Sequence, residues 1–280
     1  MVGRFLGVIA SSDGTFASID AYVNRAGQGT VFEVKPANRV VFGMLFTLLG
    51  SARLALAGPP FMSDDPEPTD FKHYEVYTFN SGTTTRDGRS SAAGIDFNYG
   101  AAPNLQLTAT IPVGFENPYG ARSSIGLSNI EFAAKYRFLN QNAFGWDVSV
   151  FPRVFLPSAT SRVGDQNPSL LLPIWLQKDF GGGWSTFGGG GCTVSAVSRQ
   201  NACIAGWVVT RKVLPKLQVG GELFHKTADA MGTPASSSLG VGATYDINET
   251  FHLLGYVRRV LQNAKETGQY SWYAAILTTF

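Results

Sequence analysis

The chain has 280 residues, of which 44% are hydrophobic and only 15% charged, with 32 glycines and a formal net charge of +2. That charge resides in the first 57 residues, where Arg4, Arg25, Lys35, Arg39 and Arg53 outnumber Asp13, Asp20 and Glu33; the remainder is neutral, which gives nucleic-acid binding no electrostatic support. No apolar run reaches the ~18 residues that a membrane-spanning helix needs, so apolar surface must be presented by many short segments.

Residues 1–57 read as a leader. Lys35 and Arg39 precede an apolar run from Val40 to Leu49, and Ala55-Leu56-Ala57 follows it. A basic flank, a short apolar core and an Ala-x-Ala site make a secretory signal, with cleavage expected after Ala57. Residues 1–34 show no useful periodicity and fit either a start assigned too far upstream or a long disordered n-region. Residues 58–70 are rich in proline and carboxylates (Asp64, Asp65, Glu67, Asp70), and are expected to form an extended, solvated periplasmic arm. No metal site is assigned to the acids.

From residue 71 extended runs alternate with turns. Twelve strands are expected near 71–81, 91–100, 104–115, 127–139, 145–156, 169–180, 183–194, 201–213, 216–227, 236–247, 250–260 and 270–280. Connections after even-numbered strands are short, as in Gly181-Gly182 and Leu214-Pro215, whereas 116–126, 157–168, 228–235 and 261–269 are long. Two turn sizes in strict alternation point to an all-β fold, a transmembrane antiparallel up-and-down barrel with both termini on the short-turn, periplasmic side.

Alternation assigns faces in four strands. The third sets Leu105, Leu107, Ala109, Ile111 and Val113 against Gln106, Thr108, Thr110 and Gly114. The fourth sets Ile130, Phe132, Ala134, Tyr136 and Phe138 against Asn129, Glu131, Ala133, Lys135 and Arg137. The ninth and tenth repeat the pattern, with Leu223 and Val241 outward, and Glu222 and Thr244 inward. Lipid outside and water inside account for this period of two. The first, seventh, eighth and eleventh strands are mixed and take no assignment. Tyr99, Phe138, Trp146, Phe180, Trp184, Tyr245, Phe251 and Phe280 cluster near the short turns, as an interfacial aromatic girdle would. The chain ends on a strand, Tyr270 to Phe280, which must close against the first; its terminal aromatic suits recognition by the barrel-assembly machinery.

Pro60-Phe-Met-Ser-Asp-Asp-Pro-Glu-Pro, Gly126-Leu-Ser-Asn-Ile-Glu-Phe-Ala-Ala-Lys-Tyr-Arg-Phe138, Gly221-Glu-Leu223 and the barrel-type C-terminus resemble an outer-membrane family labelled "putative MetA-pathway of phenol degradation", called transporter-like. The resemblance spans roughly residues 58–280 and implies a Gram-negative outer-membrane barrel with a transport role; it carries over no catalytic residue.

Cys192 and Cys203 flank one hairpin loop and should form a disulfide worth about 2–3 kcal/mol in the chain-entropy model. Inward charges Asp96, Glu131, Lys135, Arg137, Asp147, Arg153, Asp179, Glu222 and Asp246 make either a selectivity lining or a salt-bridged filling of the lumen. Pro112, Pro152 and Pro173 sit inside strands, where each should mark a bulge or the ladder's upper limit; a local opening for sideways exit into lipid is the alternative. Histidines are few (His73, His225, His252), and the run Ser236-Ser-Ser238 lies one strand from His225 without forming a recognisable hydrolase motif. The expectation is a monomeric barrel in contact with lipid, without cofactor or enzymatic activity, that passes small, aromatic or apolar solutes. A surface barrel with a filled lumen is the alternative, and conductance separates the two.

Overall fold

The computed structural model describes the backbone of residues 4–10 and 16–22, and residues 60–280 apart from 161–162, 198–200 and 230–231. The signal run and its cleavage site after Ala57 lie outside the described residues. The chain divides into two units, Met1–Ala52 and Arg53–Phe280. In the first, β1 (Arg4–Ala10) pairs antiparallel with β2 (Phe16–Tyr22), with Arg4 opposite Tyr22. No element was expected there; the aromatic and β-branched residues Phe5, Val8, Ile9, Phe16, Ile19 and Tyr22 suit strands, but they do not alternate strictly.

The second unit is a closed antiparallel barrel. Its strands are β3 (Tyr74–Thr84), β4 (Gly88–Ala102), β5 (Leu105–Pro118), β6 (Ser124–Leu127), β7 (Glu131–Leu139), β8 (Asp147–Val150), β9 (Arg153–Phe155), β10 (Ser169–Gly181), β11 (Trp184–Ser195), β12 (Cys203–Leu214), β13 (Leu217–Lys226), β14 (Ser236–Asp246), β15 (Phe251–Val260) and β16 (Tyr270–Thr279). β6 with β7, and β8 with β9, are each one interrupted strand, which gives the expected twelve. Each strand pairs with its sequence neighbour, and β16 closes on β3 with Tyr270 opposite Thr84. Closure leaves no ladder edge, the condition a sheet must meet to sit in lipid.

Outward faces follow the alternation. Leu107, Ile111, Phe132, Tyr136, Leu223 and Val241 are exposed, whereas Gln106, Thr108, Glu131, Lys135, Glu222 and Thr244 are buried inside. Turns agree at the short end, where α1 (Gln141–Phe144) fills one connection, capped by the Asn140 side chain. The long end differs at the first connection, because β3 and β4 run on to a tight turn at Thr85–Asp87 closed by Thr85 N–H donating to Gly88 O at 2.9 Å.

The prolines act in two ways. Beside Pro112, Thr110 pairs with Glu131 and Val113 with Leu127, so two residues of β5 face three of the interrupted strand, a bulge. Pro152 only removes a donor. Register is the same on both sides of it, and Phe151 N–H donates to Pro173 O at 3.1 Å across the seam, a geometry that favours a closed wall over a sideways opening.

One expectation is corrected. Residues 60–70 do not hang free as a solvated arm but run across the barrel interior: Ser63, Pro66, Pro68 and Thr69 are buried, and Asp64 and Asp65 meet Lys135 on the inner wall. Proline keeps the segment from pairing as a strand, as expected, but its carboxylates, still partly exposed, pair with cations of the inner wall instead of standing free in water.

Candidate functional site

The lumen is the place where chemistry converges, and the arm organises it. At the rim, Thr69 N–H and hydroxyl both donate to Gln106 Oε1 (2.8 and 3.1 Å), and Gln106 Nε2 donates onward to Asn98. On the wall of β7, Lys135 Nζ lies 3.0 Å from Asp64, 3.4 Å from Asp65 and 3.3 Å from Glu67 O. Arg137 sits between Glu67 (3.9 Å) and Asp147 (3.6 Å). On the opposite wall, Glu222 accepts from Ser63 N–H at 2.7 Å and Met62 N–H at 3.2 Å, and its second oxygen also accepts from the Tyr256 hydroxyl. Phe61 packs edge-on against Phe187 and Tyr256, with ring centres 5.9 and 5.5 Å apart. Burial raises the Glu67 carboxyl to about 7, Asp65 beside it pushes the same way, and Arg137 opposes both.

From the other end, the described residues of the next long loop, 156–160 and 163–168, fold inward. Thr160 N–H donates to Leu127 O at 2.8 Å and Asn129 ties Leu156 O and Asp165 N–H at 2.7 Å each. Val163 is 2% exposed and lies against Gly114, where any side chain would displace it. Between loop and arm lies a cavity of about 550 Å³, bordered by Glu75, Asp96, Glu131, Arg153 and Arg258. On the far side of the arm a second cavity of about 460 Å³ reaches the short-turn end, bordered by Gln177, Asp179, Lys212 and Gln218. Pro60, Phe61, Asp65 and Glu67 border both, so the arm is the partition of the lumen.

The nine charges picked from the sequence separate into groups. Glu131 and Arg153 form a bidentate pair at 2.6 and 2.9 Å, and Lys135, Arg137 and Asp147 join the arm network. Glu222 is the one of the nine that holds the arm on the opposite wall, and Asp96 faces the larger cavity, accepting from Asn98 at 3.2 Å. Asp246 pairs with His252 at 2.8 Å, while Asp179 ends its strand exposed, its backbone bonded to Gln141. Glu75, Tyr256 and Arg258 were missed. They lie on strands whose alternation is masked, because the inner wall near the seam is itself apolar: Leu254, Ala275 and Leu277 pack there with Tyr77, Phe79 and Tyr273.

Outside, Phe138, Phe180, Trp184, Tyr245, Phe251 and Phe280 are exposed. Tyr74, unassigned from the sequence, stacks between Tyr99 at 4.7 Å and Phe280 at 5.4 Å. Lys178 lies over Trp146 and Phe180, and Arg211 over Trp184, cations beside rings where headgroups would be. The Cys192–Cys203 disulfide joins directly opposed residues of β11 and β12. His225 Nδ1 is 2.9 Å from Ser237 Oγ, but Ser237 donates to Gln262 Oε1 at 3.0 Å. The imidazole then donates to the serine instead of taking its proton, the reverse of an activated nucleophile.

Among solved structures the chain is similar to the COG4313 outer membrane channel from Pseudomonas putida F1 (TM-score 0.63, 14% identity, 77% of this chain and 98% of that one). It is also similar to a KdgM porin (TM-score 0.53, 11% identity, 74% and 99%). At these identities the likeness is one of fold. No curated protein matches the sequence. A closed twelve-stranded barrel with an apolar outer wall, the fold of outer-membrane channels and porins, places the protein in the bacterial outer membrane. The model of the family described as "Putative MetA-pathway of phenol degradation" matches residues 75–276, and the chain belongs to that family.

Proposed function

We propose that the barrel is a passive channel for small solutes, aromatic and other apolar ones among them, and that the arm of residues 60–70 sets its conductance. The observation that carries this reading is the partition: two cavities of about 550 and 460 Å³ are separated by one short segment held by noncovalent bonds. A lumen filled for structural reasons alone would have no use for such a detachable wall. Phe61, Phe187 and Tyr256 beside the arm offer rings on which an aromatic solute can lie, at about 0.5–1.5 kcal/mol per ring pair beyond area burial. The charged groups named from the sequence act in this reading as the selectivity lining, and no catalytic role is assigned to any of them.

The girdle from Tyr99 to Phe280 anchors a monomer in lipid, and the barrel-assembly machinery receives it through β16. The second reading, a surface barrel with a filled lumen, is favoured by the inward loop carrying Val163. Planar-bilayer recordings decide between them. Steady single-channel steps, enlarged when residues 58–70 are deleted, are expected. Silence of both the wild type and the deletion, with the heat-modifiable gel shift of a folded barrel, would overturn the channel reading.

A further inference from the structure

The basic residues bordering the larger cavity are Lys135, Arg153 and Arg258. Lys135 is held by Asp64 and Asp65, and Arg153 by Glu131. Arg258 has no carboxylate at salt-bridge distance among the described residues. Its Nε is buried without an acceptor, and its contact from Nη1 to Ser238 is long at 3.5 Å.

The sequence explains why this cation is unpaired. Glu222, Gly240 and Arg258 form one cross-strand row over β13, β14 and β15. Glu222 would be the natural partner, but Gly240 has no side chain, and the Tyr256 ring occupies the space over it. From there Tyr256 donates to Glu222, while Met62 and Ser63 N–H groups take the rest of that carboxylate. On the other side the same row continues through Ser271, Thr83 and Ser90, all bordering the cavity. The Ser271 and Thr83 hydroxyls are 3.0 Å apart, and the Phe224 ring lies 5.7 Å from the guanidinium.

We propose that Arg258 is the recognition site for the carboxylate of a small organic acid in the lumen, with Ser271 and Thr83 as hydroxyl partners and Tyr256 and Phe224 as flanking rings. A partly buried guanidinium without a counter-charge is costly, and its planar fork matches a carboxylate in two hydrogen bonds. Glu75, Asp96 and Glu116 elsewhere on the cavity wall repel an anion, which makes Arg258 the station where one can rest. This inference rests on the channel reading.

The test uses benzoate and benzyl alcohol, one ring with and without the carboxylate, added to single channels of the whole protein. Benzoate is expected to block the wild type at lower concentration than benzyl alcohol. In Arg258→Gln its half-blocking concentration should rise about tenfold or more, with benzyl alcohol unchanged and Arg258→Lys in between. A conducting wild type blocked equally by both compounds overturns the site, whether or not the variants fold; so does a folded Arg258→Gln with undiminished benzoate block. A wild type that conducts nothing rejects the channel reading instead.

Discussion

The two walls of the lumen hold the same arm by different physics. On the β5–β9 side the grip is electrostatic: Lys135 and Arg137 meet Asp64, Asp65 and Glu67, and Glu131 and Arg153 neutralise each other above them. On the β11–β16 side it is aromatic packing around one carboxylate, with Phe61 against Phe187 and Tyr256 and two backbone N–H groups on Glu222. The carboxylates of the charged wall, Asp64, Asp65 and Glu67, keep 26%, 14% and 40% of their side chains exposed and are partly screened, whereas a buried carboxylate that saturates fixed donors leaves them stranded when removed. The aromatic wall should therefore be the firmer hold, and the charged wall the adjustable one.

The largest effect is expected at the seam of the aromatic wall. Phe280 exchanges backbone hydrogen bonds with Tyr74 at 2.7 and 3.1 Å and stacks on its ring, so deleting Phe280 should sharply lower the heat-modifiable, folded fraction in outer membranes. Normal assembly of that deletion would separate closure from the terminal ring. Next, Glu222→Ala leaves the Met62 and Ser63 N–H groups and the Tyr256 hydroxyl without their acceptor, weakening arm docking by about 2–4 kcal/mol. Lys135→Met, on the charged wall, should weaken it by about 1–2 kcal/mol, because the carboxylates it abandons still reach lumen water. Single-channel open probability ranks the two, and a larger effect from Lys135→Met would invert the comparison.

Replacing Cys192 and Cys203 by serine should cost about 2–3 kcal/mol of unfolding stability and leave conductance unchanged, since neither cysteine borders either lumen cavity. The smallest effect is on pH. Glu67 titrates at about 7 when docked against an ordinary 4.5, so docking binds a proton: the contribution is full below 4.5 and is lost as pH rises through 7. With 40% of its side chain exposed the gain is modest. Open probability should rise from pH 5.5 to 8, and Glu67→Gln should flatten that slope.

Much of this was legible in the chain because it is local. Strand number, turn alternation and the outward faces of β5, β7, β13 and β14 follow from a period of two, and the lipid-facing side needs no knowledge of any neighbour. The disulfide followed from the exported setting and the placement of two cysteines across one hairpin. The signal failed where both faces of a strand are apolar: around Tyr77, Phe79, Leu254 and Leu277 the inner wall packs on itself, and alternation no longer distinguishes lumen from lipid.

What the sequence alone determined is the closed barrel and its membrane, since backbone satisfaction and apolar periodicity are properties of each strand and its turn. What only the tertiary structure decided is the content of the lumen. The arm looked solvated because prolines and acids usually are, and it lies inside because closure brings Lys135 and Arg137 on one wall within reach of its carboxylates and Glu222 on the other within reach of its backbone. Arg258 has no carboxylate partner among the described residues for the same kind of reason: a missing side chain at Gly240 lets Tyr256 take the partner that a strand-by-strand reading would have given it. Such pairings depend on which strands face each other across the barrel, a relation that closure creates and no single segment encodes.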